Sequence, residues 1–235
     1  MRGPQPAQEV AKELHRMCLK HLEQSDGKRE LYRIFFYDCP PLGKKVHHPF
    51  TGKAVDFSRT PTAAWRTALH QQLRSLRKVA LRLGYLNDRT GQWKVRPAKL
   101  KALLAGKITL SQLAEADLVY EVVQKGVDMR IGLDIAAMAF KRQVDQIILV
   151  AGDSDFVPAA KLARREGIDF VLDPMWATIR EDLHEHIDGL RSVFARPTSD
   201  KTADRPQTGN LPSSPRPGQE ATPSGGEQAS GPPGV

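Results

Sequence analysis

The chain has 235 residues and only two cysteines, Cys18 and Cys39. With no CxxC pair, neither a disulfide framework nor a cysteine zinc site is expected, and with no secretory leader ahead of them a reduced cytoplasmic setting is expected. Long apolar runs are also lacking. The longest are strand-sized, far short of the roughly 20 residues a bilayer span needs, so no membrane role is expected. Beyond Pro197 apolar side chains almost vanish in favour of Pro, Gly, Ser and Thr, as in Pro-Ser-Ser-Pro-Arg-Pro at 212–217. Such a stretch cannot bury a core, and residues 197–235 read as a disordered tail.

What remains, residues 1–196, suits one α/β domain in length and in its share of the 40% hydrophobic content. The formal charge is +8, and the tail holds three Lys/Arg against four Asp/Glu. Residues 1–196 therefore carry 32 cations and 23 anions and hold the whole excess, which favours a polyanionic partner.

Helical and strand patterns alternate through this part. Glu9 to Gln24 shows one apolar helical face, and Leu31 to Tyr37 reads as a buried strand. Thr62 to Leu83 reads as one long amphipathic helix, with Trp93 in a short strand after a Thr90-Gly91 turn. Short helices are expected at Lys99 to Leu104 and Ser111 to Ala114, then a strand from Leu118 to Val123 and a helix from Asp128. Strand 146–151, helix 156–166 closed by Gly167, strand 168–172 and helix 177–187 follow. Strands separated by helices imply a mostly parallel sheet flanked by helices.

The most informative run is Gly152-Asp153-Ser154-Asp155-Phe156, directly after the apolar Ile147 to Ala151. It places two carboxylates where a buried strand ends, the position at which open α/β sheets build their sites. Two such charges about 4 Å apart repel by about 4 kcal/mol at an effective dielectric near 20, so a divalent cation is expected between them. Asp38 and Asp173 also end apolar runs and are possible additional acids of the same crevice; Asp38 has an equal claim to capping its own turn. Asp128 suits a helix N-cap and metal binding alike. Asp134, inside the apolar run Met129 to Phe140, either supports the metal site or pairs with Arg130 one turn earlier, the Arg130 pair being preferred. That run is apolar on nearly every side, so its helix is expected to be mostly buried.

Gln124-Lys125-Gly126-Val127-Asp128, then Asp134, then Ala151-Gly152-Asp153-Ser154-Asp155-Phe156-Val157-Pro158 resemble the NYN domain, the PIN-like nuclease group that includes LabA-like bacterial proteins. The resemblance covers about residues 31–190. It implies a Rossmann-like PIN fold whose acidic cluster binds Mg²⁺ or Mn²⁺ (magnesium or manganese) and hydrolyses phosphodiester bonds in RNA. Carried over, Asp128, Asp153 and Asp155 become the catalytic and metal-binding acids, with Asp134 a further ligand. Such domains open with a strand bearing an acid in a pattern like Asp-Gly-x-Asn, and nothing before Tyr32 matches it. The expectation is therefore an NYN domain over residues 1–196 that lacks its first strand and one ligand, either because the start is misplaced or because catalysis is impaired.

Lys125, beside the acidic motif, is the first candidate for a phosphate contact, and Lys161, Arg164 and Arg165 on the following helix are further ones. RNA, or another nucleic acid, is the expected partner. The alternative function is a non-catalytic RNA-binding or interaction module that keeps the fold. His47-His48 reads as part of a solvated loop.

Overall fold

A computed structural model describes residues 5–23, 29–151 and 153–195. Helix α1 (Ala7–Glu23) precedes β1 (Ile34–Asp38), the short strands β2 (Lys45–His47) and β3 (Ala54–Asp56), α2 (Pro61–Ser75) and β4 (Val79–Leu83). Then come β5 (Tyr85–Val95), α3 (Pro97–Leu104), β6 (Leu118–Lys125), α4 (Val127–Phe140) and β7 (Gln146–Val150). Helix α5 (Val157–Arg165), β8 (Asp169–Asp173), α6 (Glu181–His184) and β9 (Gly189–Leu190) complete the order.

Two parallel groups form the centre: β1 pairs with β4 over all five residues, and β7, β8 and β9 pair side by side. Helices cover both faces of β1. Phe35 and Tyr37 pack against the cluster built by Ile131, Ile135, Ile147, Ala160 and Phe170, whereas Phe36 packs against Ala11, Leu69 and Leu73. The alternation follows from the two-residue period of a strand. A strand buried on both sides reads as a continuous apolar run, which is why Ile-Phe-Phe-Tyr is legible. The antiparallel pairs β2–β3 and β5–β6 are added to this α/β frame. Their rings interlock: Trp93 meets Tyr120 at 5.5 Å and His48 at 4.7 Å.

Several sequence expectations need correction. The long helix expected over Thr62 to Leu83 ends at Ser75, and Val79–Leu83 is a strand beside β1. Lys78, at φ 60°, turns the chain between them where neither Gly nor Pro announces a stop. Thr90-Gly91 is not a turn. It lies inside the long β5, whose register against β6 slips between Asn87 and Gln92. The helix expected at 177–187 is only the single turn α6. His48 is buried rather than solvated, with Nε2 3.3 Å from the Glu115 carbonyl. Helix α4 is not mostly buried, since Met129, Leu133 and Phe140 are exposed.

The opening of the sheet also differs. Asp-Gly-x-Asn is absent, yet β1 is a fully paired parallel strand ending in an acid, Asp38. The tail beyond Pro197, expected to be disordered, lies outside the described residues. Among the described residues no helix is long and apolar enough to cross a membrane.

Candidate functional site

Gly126 stands at φ 77°, a left-handed conformation that a side chain disfavours, and so turns the end of β6 directly into α4. Asp128 is consequently the second residue of the helix rather than its N-cap. Asp153 follows β7, and its Oδ1 accepts the amide of Asp155 at 3.1 Å, which closes a tight turn before α5. The turn Ser154–Phe156 packs against α4.

The acids of the two motifs therefore act on one another. Burial raises the Asp128 carboxyl above its ordinary range, and the charges of Asp153 and Asp155 raise it further. Among the described residues no Lys, Arg or His pairs with any of the three. No group of three His, Cys, Asp or Glu side chains among the described residues is closed tightly enough to hold a metal ion as it stands. The chemistry of the donors is nevertheless that of such a site: carboxylates are hard oxygen ligands of the kind magnesium and manganese take, and Asp128 lies under the charges of Asp153 and Asp155.

Asp38 reaches the same region by another route. Its strand end meets the start of α4 through Cys39, whose buried thiol feels the negative charges of Asp38 and Asp128. The Asp38 carboxylate accepts from Arg66, from the Cys39 amide at 2.8 Å and from His70 Nε2 at 2.8 Å. Burial opposes its ionisation, but the bonds from Arg66 and His70 outweigh that and hold its pKa below the usual value. It is thus an acid already held by a guanidinium and an imidazole, unlike the other three.

Asp134 is not paired with Arg130. Arg82 of β4 grips it at 2.7 and 3.0 Å, and the Tyr37 hydroxyl donates to it at 2.8 Å. This fixes α4 across β1 and β4. The sequence hid Arg82 because the helix reading had absorbed β4; an apolar-Arg-apolar alternation in Leu81-Arg82-Leu83 was the available signal. Asp173, at the end of β8 beside Val150 of β7, is engaged elsewhere. It is 1% exposed, bonded to His21 at 3.0 Å and to the Met175 amide at 2.8 Å.

Among the cations, Lys125 ends β6 immediately before Gly126 and Asp128, and is exposed. Lys161 is exposed at the middle of α5. Arg164 and Arg165 are not brought to the acids: they follow Asp155 by nine and ten residues, roughly 13 Å along a helix, and Arg164 binds Asp188 at 2.9 Å near the start of β8.

Comparison with known proteins agrees with this arrangement. The chain is 24% identical over 104 residues to an uncharacterized protein of Methanocaldococcus jannaschii, a match covering 39% of this chain and 43% of that relative. It thus spans less than half of that relative's length. No solved structure matches the chain. The family model described as NYN domain matches residues 55–183, from β3 to α6, and includes Asp128, Asp134, Asp153 and Asp155. With more than half of its length matched, the chain belongs to the NYN domain family.

Proposed function

We propose that the protein is a metal-dependent ribonuclease that hydrolyses phosphodiester bonds at the acidic cluster, with Mg²⁺ or Mn²⁺ as cofactor. One observation carries the reading: Asp128 lies close enough to Asp153 and Asp155 for their charges to add to the effect of burial in raising its carboxyl, and among the described residues no Lys, Arg or His pairs with the three. Asp128, Asp153 and Asp155 would hold the ion, with Asp38 completing the acidic wall from β1. When bound, a divalent cation supplies the positive charge that polarises the phosphate and acidifies water. Lys125 draws the RNA backbone to the rim and fixes its register without choosing sequence. The Arg66 and His70 bonds orient Asp38, and the Arg82 and Tyr37 bonds to Asp134 hold α4 so that Asp128 faces the turn carrying Asp153.

A second reading, a non-catalytic RNA-binding module, draws support from Asp38, whose two oxygens are both engaged by Arg66, His70 and the Cys39 amide. A labelled single-stranded RNA incubated with the protein and manganese separates the two. Cleavage that disappears in Asp153→Ala is the expected result; binding with no cleavage at any manganese concentration overturns the enzyme and leaves the module.

A further inference from the structure

Beside Asp38, between the turn after β1 and the start of β5, lies an open groove of about 500 Å³ whose lining includes Pro41, Leu42, Lys44, Tyr85, Leu86 and Asp88. We propose that this groove is a subsite for one unpaired nucleobase of the RNA, stacked on the Tyr85 ring; the proposal rests on the nucleic-acid reading above and names where the strand lies beside the acids.

Tyr85 differs from the packed rings of β1 and of the β5–β6 pair. Phe57, Trp93 and Tyr120 pack on one another, and Phe35 stacks with Tyr37. Tyr85 is 59% exposed, and among the described residues its ring has no aromatic neighbour and its hydroxyl no hydrogen-bond partner. An exposed, unpartnered aromatic ring beside apolar Pro and Leu surfaces is the platform on which unpaired bases stack.

Its position ties it to the acids. The ring edge lies 3.7 Å from where a Cβ on Gly126 would stand, and Gly126 leads into the helix that carries Asp128. The Tyr85 carbonyl accepts from the Cys39 thiol at 3.5 Å, and that thiol feels the charges of both Asp38 and Asp128. Cations flank the ring. Tyr85 sits opposite Lys125 in the β5–β6 register, which places the ring and the ammonium on one face. Lys44 donates to the Asp88 carbonyl at 2.7 Å, which keeps its charge at the rim of the groove. A ring for the base and two ammonium groups for the adjoining phosphates complement a single strand. Paired bases, already stacked within a duplex, cannot enter.

The test uses the full chain carrying Asp153→Asn to prevent cleavage, and a fluorescein-labelled 12-nucleotide single-stranded RNA read by anisotropy, with an abasic position moved along it. One abasic position is expected to weaken binding about 5- to 150-fold. Tyr85→Ala should weaken binding to the intact RNA by a similar factor and make that abasic position silent, while Tyr85→Phe retains binding. An unchanged thermal midpoint in Tyr85→Ala shows that the fold survives. Tight RNA binding that is indifferent to Tyr85→Ala, or an abasic penalty that persists in that variant, overturns the subsite and leaves the ribonuclease reading standing. Absence of RNA binding by the protein with Tyr85 intact overturns both.

Discussion

Asp153 is where the balance between stability and chemistry is set. Its charge repels Asp128, so Asp153→Asn should stabilise the metal-free protein slightly, by about 1 kcal/mol or less for exposed groups, or a thermal midpoint a few degrees higher at most. The same variant should lose the midpoint rise that manganese gives the wild type. A differential scanning run with and without manganese reads both effects, and a lower metal-free midpoint for Asp153→Asn would contradict the repulsion. Asp38 is the opposite case. Its folded pKa lies below the ordinary carboxylate value, so the stability it contributes is fully present above about pH 4 and is lost as pH falls through the folded value. Urea midpoints measured downward from pH 7 should therefore fall more steeply for the wild type than for Asp38→Asn. The acids of the two motifs were legible because short polar runs after apolar stretches stand out. The partners of Asp38 and Asp134 were not: Arg66, His70, Arg82 and Tyr37 lie 28 to 97 residues away from them, and nothing local marks which side chain a folded carboxylate will meet.

At the scale of elements, α1 is fastened to the sheet by a buried relay. Asp173 at the end of β8 binds His21 Nε2, and Arg191 donates to His21 Nδ1 at 3.0 Å and to the His21 carbonyl at 2.8 Å. With Nδ1 accepting, the imidazole is neutral. Burial lowers its pKa, Asp173 pulls it back up and Arg191 lowers it again. The sign follows: as pH falls through about 6.5, the unfolded chain gains a proton that folded His21 refuses, so stability declines until the lowered folded value is reached. Chemical denaturation from pH 8 to pH 5 should show that slope flattened in His21→Gln, with an overall loss of about 1–3 kcal/mol from the broken buried bonds. An identical slope in the two proteins would contradict the neutral imidazole. Elements with both faces buried or with a clear cap were legible in sequence, as β1, β7 and α5 with its closing Gly167 demonstrate. The boundary between α2 and β4 was not. Apolar spacing continues across it, and the break rests on the backbone of Lys78, which composition does not announce.

At the scale of the molecule, the parallel α/β centre carries Asp38 at the end of β1 and Asp153 just after β7, with Asp128 at the start of α4 under the charges of Asp153 and Asp155, while the antiparallel β5–β6 pair holds Tyr85 opposite Lys125. If RNA is the partner proposed above, the surplus of cations in residues 1–196 should make its affinity salt-dependent, with a slope of about −0.7 in log K against log salt for each phosphate contacted on a single strand. Lys125→Ala should reduce that slope by about 0.7, and Arg164→Ala should leave it unchanged, because Arg164 is bound to Asp188 at the far end of α5. Equal effects of the two variants would contradict the placement of the strand along the acidic rim. Fold class was legible from the alternation of helix and strand, whereas the two antiparallel additions were obscured by their short strands and by the register slip within β5.

The most direct test of the whole account is calorimetric titration of manganese into the metal-free protein. Saturable uptake by the wild type that is lost in Asp128→Asn and in Asp153→Asn, with both variants still folded, is the expected result; no uptake by the wild type, or uptake unaltered by either substitution, would rule out a metal site at these acids.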